Sequence, residues 1–211
     1  MKKLGCLVLF VLMAGAGNAS AAGIDTAAVE AGWAGQRTSW REVGETPVIW
    51  RELLRGDGAF GGVSFTAPLD RKNVWALATD FTQLSKRSGK IDTVYITEQE
   101  GNRMTLQMVA HILWYRLSLE FEIFLEPEEI FRFRVTNEGV GEFYGYCRFQ
   151  DAAGPTVGTG RTGIDLATHY KPGGLGQRML LKQLMILERM ALMHGIESFL
   201  DSCEARRARI Q

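Results

Sequence analysis

The stretch LGQRMLLKQLMILERMALMHGIESFLDSCEARR, Leu175 to Arg207, follows a helix-start signal, Lys171-Pro172-Gly173-Gly174, and holds no further proline. At 100° per residue, Lys182, Arg189, Glu197, Asp201 and Glu204 fall on one side. Leu180, Leu181, Leu184, Met185, Leu187, Ala191, Leu192, Ile196, Phe199 and Cys203 spread over the other half. An apolar arc this wide exceeds a coiled-coil seam, so the helix is expected to lie deep against a sheet. Three residues inside the arc do not suit a dry core: Glu188 near its middle, then Gly195 and Ser202. A carboxylate there must be paired, hydrated or protonated, because burying it alone costs on the order of several kcal/mol. Glycine inside a helix costs roughly 1 kcal/mol against alanine and usually makes room for something. The helix is therefore read as one wall of a cavity.

The other end of the chain is not part of this fold. Lys2 and Lys3, the apolar run Leu4 to Ala16 and the small residues Ala19-Ser20-Ala21 have the order of a secretory signal peptide, with cleavage expected after Ala21 or Ala22. The run is too short to span a bilayer comfortably. Cys6 comes too early in it for a lipoprotein attachment site. Residues 1–22 are read as leader and the product as periplasmic or secreted. Of the 211 residues about 190 remain, enough for one domain with a real core. The whole chain has no formal net charge, and loss of the two leader lysines leaves the product slightly acidic. No basic run and no interleaving of aromatics with Lys or Arg points to nucleic acid. Cys147 and Cys203 survive processing. An oxidising compartment permits a disulfide between them, but both stand at apolar positions where a thiol packs, and packing is favoured.

Residues 23–46 read as a leader into the fold, with Asp25 capping a short helix through Trp33 and the whole lying on the surface. Pro47 to Leu54 reads as a strand, and Gly61 to Phe65 as another or its continuation. Ala67-Pro68-Leu69-Asp70 is a turn that caps a short helix, Arg71 to Ala78, and Asp80 can start a second. From Ile91 the period changes to two. Ile91 to Glu98, Arg103 to Trp114, Tyr115 to Leu125, Glu129 to Thr136, Glu142 to Gln150 and Pro155 to Tyr170 read as strands joined by short turns, hence one curved antiparallel meander. Met104, Leu106, Met108, Ala110 and Ile112 share a side, as do Tyr115, Leu117, Leu119, Phe121 and Ile123, and likewise Phe131, Phe133 and Val135. In the last strand either Thr162, Ile164 and Leu166 or Gly163, Asp165 and Ala167 face the helix. The class is α+β: a strand, two short helices, about six further strands and a long C-terminal helix closing the apolar face.

Ala67-Pro68, Val74-Trp75 and Thr79-Asp80-Phe81 resemble the opening of polyketide cyclase/dehydrase and coenzyme Q-binding proteins of the START-like superfamily. Phe143-Tyr144-Gly145-Tyr146-Cys147-Arg148-Phe149 is similar to their F-x-G-x-W-x-F strand, with Cys147 where an aromatic is usual. The match covers roughly Gly61 to Cys203. It implies the helix-grip fold, a curved antiparallel sheet wrapped around the C-terminal helix, over residues 47–207, leaving 208–211 as a tail. It also implies an apolar tunnel holding a lipid, isoprenoid quinone, polyketide or sterol-like molecule. Met104, Leu106, Met108, Tyr115, Leu117, Leu119, Phe121, Phe131 and Phe133 from the sheet, with Leu184, Met185, Glu188, Leu192 and Gly195 from the helix, are then the expected lining.

No other motif carries chemistry. Gly158 to Gly163 spells G-x-G-x-x-G, but a strand and not a helix follows, so bent strand is the better reading. His111, His169 and His194 are scattered without metal spacing and read as surface residues; no metal and no cofactor is expected. Glu188 either meets a ligand's polar end, serving as acid or base if the protein is an enzyme, or forms an internal ion pair, Arg161 being one partner; the ion pair is favoured. Tyr115, Tyr144 and Tyr146 could offer hydroxyls at a cavity mouth, or simply be half-buried strand residues. The leading expectation is an exported carrier of a hydrophobic small molecule that performs no chemistry on it. The rivals are a cyclase/dehydrase-type enzyme using Glu188 and a tyrosine, and a module whose groove takes a partner's apolar segment. Membrane contact and oligomeric state stay open.

Overall fold

The computed structural model describes residues 37–43, 45–55, 58–87, 91–112, 115–137, 141–152, 160–173 and 175–210. Within these, side chains are described except at residues 37, 38, 40, 55, 87, 111, 112, 115, 117, 175–188, 190 and 191. The expected signal peptide and the short helix through Trp33 lie outside the described residues. Nine strands form one antiparallel sheet: β1 (Arg37–Val43), β2 (Thr46–Arg55), β3 (Gly58–Ala67), β4 (Ile91–Glu100), β5 (Arg103–Ile112), β6 (Tyr115–Glu126), β7 (Ile130–Val135), β8 (Glu142–Asp151) and β9 (Thr162–Lys171). Their order is β1-β2-β3-β9-β8-β7-β6-β5-β4. Helix α1 (Arg71–Ala78), a 3-10 turn (Phe81–Gln83) and α2 (Leu84–Arg87) separate β3 from β4, and α3 (Leu175–Ile210) ends the chain.

This is the expected α+β layout, with three differences. Arg37–Val43 is not part of a surface leader: it pairs with β2 along its whole length, and Val43 is buried. The two small helices therefore follow three strands and not one. Alternation could not show β1, because its seven residues carry only two strong apolar side chains, Trp40 and Val43. β9 begins at Thr162 and not Pro155; residues 153–159 lie outside the described set.

Local chemistry starts and stops these elements. Asp70 caps α1, its carboxylate accepting from the Asn73 backbone N–H at 2.9 Å and from the Asn73 side chain at 2.7 Å. Burial would raise its pKa, but those hydrogen bonds outweigh it and hold the carboxyl below its ordinary value. Thr162 is fully buried and donates to the Leu69 carbonyl at 2.8 Å, tying the start of β9 to the turn before α1. Along β9, Thr162, Ile164 and Leu166 are buried and Asp165 is half-exposed, accepting from Gln150 Nε2 at 3.0 Å on the other face. The first of the two registers open at the sequence level is therefore the one adopted.

On the concave face, Val63, Phe65, Phe131, Phe133, Cys147, Phe149, Ile164 and Leu166 join the second half of α3 in one core. Among the described residues of α3, Leu192, Ile196, Phe199, Leu200 and Cys203 are its buried apolar side chains, spaced to share one face. Phe199 meets Phe65 edge-on at 6.3 Å, and Arg206 donates to Asn73 at 2.9 Å, fastening the helix end to α1. Ser202, odd for an apolar arc, satisfies itself by donating to the Ser198 carbonyl at 2.8 Å.

Gly145 is fixed by crowding. A Cβ there would lie 2.2 Å from the Ala167 carbonyl oxygen and 2.9 Å from Phe133 Cζ. Gly145→Ala should therefore cost about 1–3 kcal/mol, measured by denaturant unfolding. Cys147 and Cys203 are both fully buried thiols. Burial pushes the Cys147 thiol well above its ordinary value, with a smaller contribution from the Asp165 carboxylate. Alkylation of Cys147 at pH 8 should be at least about a hundredfold slower in the native protein than in denaturant, read by mass spectrometry.

Candidate functional site

The strand registers lay out the concave surface as cross-strand rows. One row runs Met104, Ile123, Phe133, Gly145, Thr168, Gly61 and Glu52. The next runs Phe131, Cys147, Leu166, Val63 and Trp50. At the α1 end the face is filled by rings: Trp75 packs on Phe149 at 5.4 Å and Phe131 at 6.4 Å, and Phe81 on Phe131 at 5.8 Å. Between these rings and the β5–β6 wing lies a cavity lined by Phe81, Leu84, Leu106, Met108, Phe121, Ile123, Phe131 and Phe133. Its lining is entirely apolar, and it gives about 20 Å³ of room for water centres. That is the size of one water site, without the polar partners water needs. A larger guest enters this part of the interior only by displacing side chains, and the two thioethers nearby, Met104 and Met108, are among the most adaptable.

Seven of the sheet residues expected to line the interior are placed there: Met104, Leu106, Met108, Leu119, Phe121, Phe131 and Phe133 are all buried on the concave face. From the helix, Leu192 and Gly195 are buried. The side chains of Tyr115, Leu117, Leu184, Met185 and Glu188 lie outside the described residues. Arg161, named as a partner for Glu188, is exposed in the approach to β9.

Tyr144 and Tyr146 sit on the convex face, where Tyr146 is buried with Ile130 and Ala167 under the Arg148 guanidinium, 5.1 Å from its ring. They belong to the opposite parity from Phe143, Cys147 and Phe149, so neither hydroxyl serves the cavity. His169 is not a surface residue. It is half-buried between Phe60 at 4.4 Å and Tyr144 at 4.8 Å. His194 is exposed, 3.9 Å from Glu197. Among the described residues no three His, Cys, Asp or Glu side chains gather where they could hold a metal.

The polar group expected on the solvent side and found facing the sheet is Arg189. Grouped by its charge with the solvent side, it falls at 100° per residue between Ile196 and Leu200, both buried, and so faces the sheet. The guanidinium lies 5.6 Å from the centre of the Trp50 indole, and Nη1 donates to Glu52 Oε1 at 3.4 Å. Arg189 Nε and Trp50 Nε1 are buried with no hydrogen-bond partner among the described residues. Two strands away on the same face, the Tyr170 hydroxyl is also buried without a partner, and burial raises its pKa to about 12, so it stays a neutral phenol at physiological pH. A signal for this spot existed in the sequence: Glu52 is the one carboxylate in the strand Pro47 to Leu54, at the parity of buried Trp50.

No family model and no curated protein sequence matches the chain. Solved structures do. The STAR-related lipid transfer protein of Xanthomonas axonopodis is 10% identical with a TM-score of 0.59, covering 81% of this chain and 99% of that one. The Zhui aromatase/cyclase of a Streptomyces species is 16% identical with a TM-score of 0.57, covering 71% of this chain and 95% of that one. Human StAR-related lipid transfer protein 5 is 10% identical with a TM-score of 0.58, covering 82% and 88%. With the grip of a curved antiparallel sheet on its terminal helix already in place, these likenesses identify the chain's architecture as the START-like helix-grip fold.

Proposed function

We propose that this chain binds a hydrophobic small molecule between the concave face and α3, and carries it without transforming it. The observation that supports this best is the cavity between α2 and strands β5–β7, whose lining has no polar surface at all. That pocket has the volume of about one water and offers water no polar partner, so an apolar group suits it better, provided the side chains around it give way. The likeness to structures named as lipid transfer proteins and aromatase/cyclases points to the same ligand class, a lipid, isoprenoid quinone or polyketide-like molecule. The carrier works outside the cytoplasm in this reading, directed there by residues 1–22.

Two measurements check the two halves of this proposal. Native mass spectrometry of protein purified from its own host should show a co-purified apolar molecule, released when the protein is denatured. Protein that is consistently empty after gentle isolation counts against a carrier. The intact mass of the same material should begin at Ala22 or Gly23; a retained residue 1 or 2 refutes export by cleavage.

A further inference from the structure

Three buried donors on the concave face lack acceptors among the described residues, and two of them share one place. Trp50 is only 2% exposed, yet its indole Nε1–H has no partner. Arg189 beside it uses one of its donors, on Glu52 at 3.4 Å, while its Nε–H is buried and unmet. A guanidinium offers five N–H groups in a fixed plane, and leaving a buried donor without an acceptor costs about 1–3 kcal/mol. Native interiors rarely keep two such deficits side by side unless something else supplies the acceptor. A structural strut between α3 and β2 would need only the ion pair and not the orphaned indole N–H.

We infer that Trp50 Nε1 and the Arg189 guanidinium form a polar subsite that takes a neutral carbonyl oxygen of the hydrophobic ligand. This rests on the reading of the concave face as a ligand site and adds which end of the ligand is recognised, and by what. Neutrality follows from Glu52: its carboxylate already balances the Arg189 charge, so a carboxylate guest would bring an uncompensated charge into a half-buried place. A ketone, ester or quinone oxygen needs only donors. The subsite also fits the apolar cavity in scale. Trp50 on β2 and Phe131 on β7 belong to one cross-strand row, four strand spacings apart, about 19 Å along the surface. Val63, Leu166 and Cys147 between them are packed in the core with α3, so a long chain anchored at Arg189 reaches the methionine-rich wing only by displacing side chains along the row.

The test uses the full mature protein loaded with the fluorescent probe N-phenyl-1-naphthylamine. It is displaced by 2-pentadecanone, pentadecane or pentadecanoic acid delivered from cyclodextrin. The ketone should bind about tenfold more tightly than the hydrocarbon. Trp50→Phe, which keeps the ring and removes the N–H, and Arg189→Met, which keeps the stem, should each cut that advantage to about threefold or less, with the hydrocarbon unaffected. Ketone and hydrocarbon binding equally, or both variants behaving as wild type, overturns the subsite while the apolar-ligand reading stands. Preference for the acid overturns the neutral-carbonyl assignment. If none of the three displaces the probe, the apolar-ligand reading itself falls. Should Arg189→Met fail to fold, Trp50→Phe carries the comparison alone.

Discussion

The pairing of β3 with β9 holds the two parts of this sheet together. Nine consecutive residue pairs, from Ala59 with Tyr170 to Ala67 with Thr162, join the strands made first to the strand made last. Without that seam the protein would consist of a three-stranded piece and a six-stranded meander, neither with both sides of a core. With it, Val63 and Phe65 come beside Leu166 and Ile164, and this four-residue patch is where α3 lands through Phe199. The register is specified because a one-residue slip of β9 would turn Asp165 under the helix and expel Ile164 and Leu166 to the far side. The buried Thr162 hydroxyl on the Leu69 carbonyl marks one end of the seam and reinforces the same choice.

The two faces of the sheet solve opposite problems. The concave one is covered by α1, α2 and α3 and can be almost wholly apolar. The convex one has no helical cover among the described residues, and it supplies its own with long cationic side chains. Glu122, only 3% exposed, lies between Arg103 at 2.6 Å and Arg134, and Arg132 pairs with Glu126. Arg148 lies over Tyr146. Such pairs contribute little individually where they are wet, but their aliphatic stems shield ladder hydrogen bonds and exclude water from the aromatic rings beneath. A sheet clothed in this way needs no second layer, which leaves its curvature free to follow the helix inside.

Much of this was legible in the residues because the period is legible. Alternation alone located β4 to β8 within a residue or two, since each pairs a continuous apolar row with charges on the other side. Short polar turns such as Glu100-Gly101-Asn102 forced antiparallel neighbours. β1 escaped because an edge strand is specified by its partner and not by its own pattern. Tyr144 and Tyr146 stay open between a cavity mouth and a half-buried strand when read by residue type alone, though their parity with Arg148 already puts them on the convex side. Arg189 was sorted with the charged residues by its type, although at 100° per residue it falls between Ile196 and Leu200, both of them buried.

Glu52 and Arg189 are 137 residues apart along the chain, one near its beginning and one in its final helix. Synthesis runs from the first to the second, and domains acquire their long-range contacts only when both segments have left the ribosome. The polar corner of the concave face thus comes into being at the last step of folding. A nascent or truncated chain would have the aromatic floor without the charge pair beside Trp50. The charge pair beside Trp50 and completion of the fold are thus one event in this molecule.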